Sequence, residues 1–274
     1  MFSCTLWPLS SSPTYSCGPW SGRSVGAGSS GGVPFTPSSG SGADNGGRRP
    51  GVPLTAKRIL ITSGPTRAPL DAVRYISNKA SGRTGALIAE LAVQAGARVT
   101  FVYGRGSQLP QPRARVRDSL RLIPIETVQD LIAVFRAELP TGYDAVVHPM
   151  AVLDFAPAEV RREKVASDEE WVVRLVPTPK AIRLVKELSP QTFLMGFKLE
   201  IGKSPEELVR IAHESLVRNR ADVMVANDLA EIERGVHRGY FVGPDGHVLR
   251  VAVGKEEIAR AVLELLEERL GSAV

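Results

Sequence analysis

Cysteine is almost absent from this chain. Its 274 residues contain only Cys4 and Cys17, both within the first 56. Beyond them there is no thiol for a disulfide, a thiolate zinc site or a cysteine nucleophile, which suits a reducing, cytoplasmic setting. Long apolar runs are missing too. Nothing approaches the roughly 20 residues of a membrane span, and no charged segment followed by an apolar one stands at the start, so a soluble protein without a membrane partner is expected. An excess of cations is missing once the charge is divided. Residues 1–58 carry Arg23, Arg48, Arg49, Lys57 and Arg58 against Asp44, a net +4. Only +1 of the formal +5 is left for the other 216 residues. A nucleic-acid footprint needs clustered positive charge, so no nucleic-acid partner is expected. No second His, Cys or carboxylate lies at ligand spacing around His148, which argues against a protein-built metal cage.

What is present divides near residue 56. The stretch before it, typified by "SSSPTYSCGPWSGRSVGAGSSGGVPFTPSSGSG", is crowded with Ser, Gly and Pro and lacks periodic apolar residues. It cannot bury enough apolar surface to offset its ordering entropy, so residues 1–56 read as a disordered tail. Its Ser and Arg content also fits an organellar transit peptide, but it shows no amphipathic arginine-bearing helix. A loose tail or an upstream start codon is the plainer reading. Residues 57–274 read as one folded domain.

From Ile59 onward strands and helices alternate. "RILIT" (58–62) precedes the helical pattern "GRTGALIAELAVQAGA" (82–97), which stops at Gly96. The cycle continues through "RVTFVYG", "LRLIPIE", "TVQDLIAVFRAEL", "YDAVVHPM", "TPKAIRLVKEL", "TFLMGF", "SPEELVRIAHESLVRNR" and "ADVMVAND". The fold class predicted is α/β, a doubly wound, mainly parallel sheet with helices on both faces. A C-terminal hairpin around "GPDGH" and an amphipathic helix over 255–270 follow. In such sheets ligands bind beyond the carboxyl ends of the strands, and the polar clusters of this sequence fall there.

The first cluster is the loop after "RILIT". It holds Ser63, Gly64, Pro65, Thr66 and Arg67, then "VRYISNKASGRTG" (73–85). Backbone amides, hydroxyls and the cations Arg67 and Arg74 there surround a helix start near Gly82, a setting for a phosphate or a solvated glycine-rich turn. Neither a compact G-x-G-x-x-G nor a P-loop is present: Ser77 and Arg83 stand where the latter needs Gly and Lys. The second cluster runs from His148 to Lys180. Asp154, just past a strand end, is placed to accept hydrogen bonds from a ligand. Lys164, in a long irregular excursion, is placed to reach a phosphate. His148 reads as a hydrogen-bonded structural histidine.

Six ordered motifs, "ILITSGPTRAPLDAVRYISNKASGRTG", "HPMAVLDFAP", "EKVAS", "VPTPKAI", "LMGFKLE" and "DVMVANDL", resemble phosphopantothenoylcysteine synthetase, also called phosphopantothenate–cysteine ligase. The likeness runs from about Arg58 to the last helix. No decarboxylase domain precedes it, so the single-function, Rossmann-like form is expected. The resemblance implies a two-step reaction. The carboxylate of 4'-phosphopantothenate attacks the α-phosphate of a nucleoside triphosphate, and the amine of L-cysteine then displaces the nucleotide. CTP is the implied co-substrate, with ATP as the alternative and Mg²⁺ accompanying the nucleotide.

By the same resemblance Asn78 acts on the acyl-nucleotide, and Arg74, Gly64, Thr66, Ser81 and Gly82 bind the acid. Lys164 neutralises the triphosphate, while Met150, Asp154, Thr178, Pro179, Lys180, Ala181, Phe197 and Asn219 form the nucleotide pocket. A homodimer is implied. The departures are Ser215 and Asn219, where fused bacterial members carry lysines, with Arg218 and Arg220 nearby; and Pro65, where the family has a second Gly. Lys198 in "GFKLE" is similar to eukaryotic members, several of which use ATP. A Rossmann-type oxidoreductase or a non-catalytic nucleotide binder would share the sheet. The first should show the glycine fingerprint and an acid closing the second strand, where Arg105 stands. The second has no need for Asn78 and Lys164 together.

Overall fold

The structure, a computed structural model, describes residues 54–112, 118–168 and 170–271. The tail expected over 1–56 lies outside the described residues except for its last three. Of these, Leu54 is fully buried and packs into the core, so the packed body begins earlier than the composition suggested.

Six strands form a parallel sheet. They are β1 (Arg58–Ser63), β4 (Arg98–Gly104), β5 (Leu120–Ile125), β6 (Ala145–His148), β9 (Phe193–Glu200) and β10 (Val223–Asp228). Their spatial order is β5-β4-β1-β6-β9-β10. Counted along the parallel strands this is the doubly wound order, with its reversal between β1 and β6. The hairpin of β11 (Arg238–Val242) and β12 (Val248–Val253) extends the sheet antiparallel from β10, giving eight strands. Gly243 N–H donates to the His247 carbonyl at its turn, as the turn residues predict.

Both faces are covered because the central strands are apolar on both. In β1, Ile59 and Ile61 face the cluster built on α1 (Arg83–Gln94) and α6 (Lys255–Gly271), which buries Ile258, Val262, Leu265 and Leu266. Leu60 faces the opposite cluster, with α2 (Val128–Glu138), α3 (Ala181–Leu188) and α4 (Pro205–Asn219). Each such side chain contributes about 1.5–3 kcal/mol on burial. Pro124 sits in β5, an edge strand bonded only to β4, where its missing N–H costs least. Thr127 and Ser204 close capping boxes at α2 and α4. A short helix, α5 (Leu229–Glu233), absent from the sequence expectation, starts where Asp228 accepts from Glu231 N–H.

The two excursions are more ordered than expected. The first folds into the ribbon β2 (Arg67–Pro69) and β3 (Tyr75–Ser77), the second into β7 (Phe155–Pro157) and β8 (Leu175–Pro177). Ala68, Ile76, Leu153 and Ala156 pack between them and against α2. The longest irregular stretch of the excursion over 148–180 therefore lies between Pro157 and Leu175.

Close backbone approach at the reversal demands glycine. At Gly104 a Cβ would lie 1.8 Å from the Pro65 carbonyl oxygen. Gly104→Ala is expected to cost about 2 kcal/mol, a melting temperature lower by about 4–8 °C for a body of this size. Thermal unfolding measures it, and a variant melting with the wild type would show that the β1 loop does not press on β4.

Candidate active site

At the reversal the loops leaving β1 and β6 are joined through their backbones. Thr66 N–H donates to the Ala151 carbonyl at 3.2 Å, and Ala151 N–H to the Gly64 carbonyl at 2.9 Å. The Thr66 hydroxyl accepts from Leu153 N–H at 2.9 Å. Asn78 spans the same seam, its amide nitrogen donating to the carbonyls of Ala151 (3.1 Å) and Val152 (3.3 Å). Its exposed carbonyl oxygen has no protein partner among the described residues. Beyond the seam, Thr178 N–H donates to the Asp154 carbonyl at 2.9 Å, and the Thr178 hydroxyl to the Leu153 carbonyl at 2.5 Å. Lys180 Nζ lies 2.6 Å from Asp154 Oδ1. Gly64, Thr66, Asn78, Asp154, Thr178 and Lys180 thus form one connected set. Met150 is buried beside it, and Pro179 and Ala181 complete the turn into α3. Phe197 follows Gly196, the residue paired with His148, and so stands half-buried at the same edge of the sheet.

The helix start expected to face an anion is open. Gly82 adopts φ 75°, which a side chain would strain, and as the N-cap it offers α1 no side-chain bond; the first turn holds no acid, and its one side-chain acceptor among the described residues is Ser81 Oγ, 3.4 Å from Arg83 N–H. Ser63 Oγ donates to the Gly82 carbonyl at 2.8 Å, and Gln108 N–H to the Ser81 carbonyl at 2.9 Å. These bonds hold the helix start against the seam.

The cations divide. Arg67 lies 4.2 Å from the Tyr75 ring centroid and pairs with Glu126 at 3.8 Å, a partner it shares with Arg105. The two-arginine clamp is therefore not assembled around one anion. Arg74 stays with the first ribbon, pairing with Asp71 and donating to the Val165 carbonyl. Lys164 is exposed on the wall of an open depression of about 480 Å³ that also takes in Arg161, Arg162, Glu163, Val165 and Trp171. It has no polar partner among the described residues.

Asn219 does not join the set within one chain. Helix α4 returns antiparallel to the strands, so its last turn lies at their amino ends, where Asp222 N–H donates to the Leu194 carbonyl. The Asn219 amide is occupied by the Ser215 carbonyl (2.8 Å) and hydroxyl (3.2 Å). His148 is structural, as read. It is buried, its Nδ1 lies 2.6 Å from the Thr62 hydroxyl, and burial pushes its pKa down to about 4. Sequence reasoning missed Asp71. Withdrawal from water raises its pKa, but N–H groups of Val73, Val165 and Arg74, together with the Arg74 charge, outweigh that and hold the carboxyl below its usual value. The signal available was an Asp followed by "AVR", which fits an Asx turn. Nothing local announced the partner Val165. The described residues contain no group of three or more His, Cys, Asp or Glu able to hold a metal, and no helix among them is long and apolar enough to cross a membrane.

Residues 54–270 match the DNA/pantothenate metabolism flavoprotein C-terminal domain family. The chain belongs to that family. The phosphopantothenoylcysteine synthetase resemblance is borne out at this level. The coenzyme A biosynthesis bifunctional protein CoaBC of Thermococcus kodakarensis is 37% identical over 218 residues, covering 79% of this chain and 52% of that protein. CoaBC of Bacillus subtilis is 33% identical over 182 residues, 65% of this chain and 42% of its own length. The chain thus spans about half the length of these family members. Among solved structures, the DNA/pantothenate metabolism flavoprotein of Streptococcus pneumoniae superposes with TM-score 0.70 at 32% identity, covering 78% of this chain and 99% of its own. A mutant of Cab2 in complex with phosphopantothenate-cysteine shares the fold, with TM-score 0.62 at 22% identity over 78% of this chain and 88% of that one.

His148 gives this family member a pH signature. Its pKa is lower folded than unfolded, so the unfolded chain binds more protons between these values and stability falls as pH drops from about 6.5 toward 4. The loss expected from this residue is about 3 kcal/mol. Urea unfolding at pH 7 and pH 4 should show it, with a shallower dependence in His148→Gln. Equal dependence in both would remove His148 as the cause.

Proposed function

We propose that this chain ligates 4'-phosphopantothenate to L-cysteine at the expense of a nucleoside triphosphate, with CTP favoured over ATP. The observation that carries the reading is the convergence on one seam of the open α1 start, Asn78 and the Asp154–Thr178–Lys180 group. An acid-binding loop and a nucleotide-binding loop are thereby brought edge to edge. Relatives described as coenzyme A biosynthesis proteins support it, as does a shared fold in a protein complexed with phosphopantothenate-cysteine, the product of such a ligation.

In the first half-reaction an oxygen of the acid's carboxylate attacks the α-phosphorus, and the bond to the bridging oxygen breaks, releasing pyrophosphate. The N–H groups at Gly82 and after it would hold the acid's phosphate, and Arg74 would meet the acid from the first ribbon. Lys164 would neutralise charge that builds on the triphosphate. In the second half the cysteine amine attacks the acyl carbon, the bond to the nucleotide phosphate breaks, and the amine proton leaves to solvent. The unpartnered Asn78 carbonyl oxygen would accept an N–H of the incoming amine and aim its lone pair. Asp154 would present its second carboxylate oxygen to an amino group of the base, while Met150 and Phe197 supply apolar walls. Magnesium would arrive with the phosphates and screen their charge. The described residues offer it no cage, and the side-chain roles above stand without one. A second copy of the chain is the proposed assembly partner.

An oxidoreductase reading loses ground on geometry. Helix α1 begins roughly 20 residues after β1, and β4 ends in Gly104 followed by Arg105, which pairs with Glu126.

Pyrophosphate release from phosphopantothenate should require cysteine for sustained turnover and proceed faster with CTP than with ATP. Asn78→Asp is expected to give a single burst of pyrophosphate without amide. Lys164→Ala should lower kcat by about 10²-fold or more. Faster turnover with ATP would overturn the reading of Asp154 as a cytosine partner. No nucleotide consumption under any condition would overturn the ligase itself.

A further inference from the structure

Asp71 is a buried carboxylate to which the reaction above gives no work. Its side chain is wholly withdrawn from solvent. Oδ1 accepts from Val73 N–H at 2.9 Å and Arg74 N–H at 2.8 Å, closing the turn between β2 and β3. Oδ2 crosses to the other excursion, accepting from Val165 N–H at 3.1 Å, and also faces Arg74 Nε at 3.3 Å. Arg74 completes the grip by donating to the Val165 carbonyl at 2.5 Å, so both backbone groups of the residue after Lys164 are held by the first ribbon. Two more contacts flank this point. Arg161 N–H donates to the Leu70 carbonyl at 3.0 Å, and the Arg74 guanidinium lies 5.4 Å from the Trp171 ring centroid.

The segment held in this way is the irregular one between β7 and β8. Ala158 N–H donating to the Arg174 carbonyl closes it at its base. Without a second anchor, a loop of this length would spread its tip over many conformations, and a lysine on a four-carbon stem would spread further. A charged acceptor taking backbone donors from two segments is a strong anchor, because each bond is charge-assisted and removing the acceptor leaves buried N–H groups unpaired. The anchor falls one residue from Lys164 and on the residue whose partner is Arg74. The same carboxylate therefore sets the distance between the cation assigned to the acid and the cation assigned to the triphosphate.

We propose that Asp71 is a positioning residue, which fixes Lys164 against the acid-binding loop by clamping Val165, and so aligns the triphosphate with the carboxylate that attacks it. This rests on the ligase reading. Asp71 touches no reactant, and its effect passes through the loop that bears Lys164. A misplacement of about 1 Å is enough to cost on the order of 10²-fold in rate.

The test is a kinetic cycle on the full chain with Asp71→Asn, Lys164→Ala and the double variant, read as pyrophosphate release with CTP, together with amide exchange over residues 161–171. Asp71→Asn keeps the size of the side chain but presents an amide donor toward the Val165 N–H. It should lower kcat for nucleotide activation by about 30-fold or more, leave the KM for cysteine unchanged, and speed exchange at Val165 while β1 and α1 stay protected. In the Lys164→Ala background the same change should cost less than about threefold, because coupled sites are not additive. An equal loss in both backgrounds, or unchanged exchange at Val165, would overturn the proposal. If Asp71→Asn fails to fold, Val165→Pro removes the cross-loop donor and leaves the Asp71 turn intact. It should reproduce the kinetic loss, and wild-type kinetics in it would overturn the proposal. A wild-type chain that releases no pyrophosphate would sink the ligase reading and the catalytic role together, whereas active wild type with an additive cycle sinks only the role of Asp71.

Discussion

A parallel sheet whose strand order reverses must send the chain to opposite faces from two neighbouring strands, and the loops that leave them come close enough to satisfy part of each other's backbone hydrogen bonding. Here those strands are β1 and β6. Their loops answer the constraint by bonding as a short extra bridge, Pro65 beside Ala151, with Thr66 and Asn78 adding side-chain bonds across it. Glycine at 82 and 104 lets α1 and β4 come close to the loop that leaves β1. Apart from Phe197 on β9, the residues assigned to the reaction hang from this seam, from the helix start held against it, or from the two ribbons that extend it.

The ribbons explain why polar residues can lie far apart in sequence and still act together. Each excursion is too short to bury a core alone, so Ala68 and Ile76 of one pack with Leu153 and Ala156 of the other. The small apolar contact fixes their relation at the base, and the Asp71 carboxylate fixes it further out. The charges assigned to the nucleotide lie at the rim. Asp154, Lys180 and Lys164 are exposed, so the Asp154–Lys180 pairing is weak in water and can be exchanged for a ligand's at little cost. His148, by contrast, sits beneath the seam and is kept neutral by burial. A charge there would be unpaired in a medium of low polarity.

Alternation of apolar runs with helical periods determined the α/β class, the parallel core, the hairpin and the closing helix, because each is specified by burial within one short segment. Thr127 and Ser204 open two of the quoted helical stretches, and their capping boxes are local in the same way. The sequence order and spacing of the motifs also identified the family and brought forward Gly64, Thr66, Asn78, Asp154 and Thr178, whose convergence the topology then supplied. What tertiary structure alone decided is pairing across distance. Arg67 goes to Glu126 instead of to an anion because the strand β5 it passes ends there. Asn219 falls at the far edge because a returning helix reverses direction. Asp71 reaches Val165, 94 residues away. A side chain's type is written in the sequence, but its partner depends on which loops the sheet order brings together, and that is set by the whole core rather than by any residue near the site.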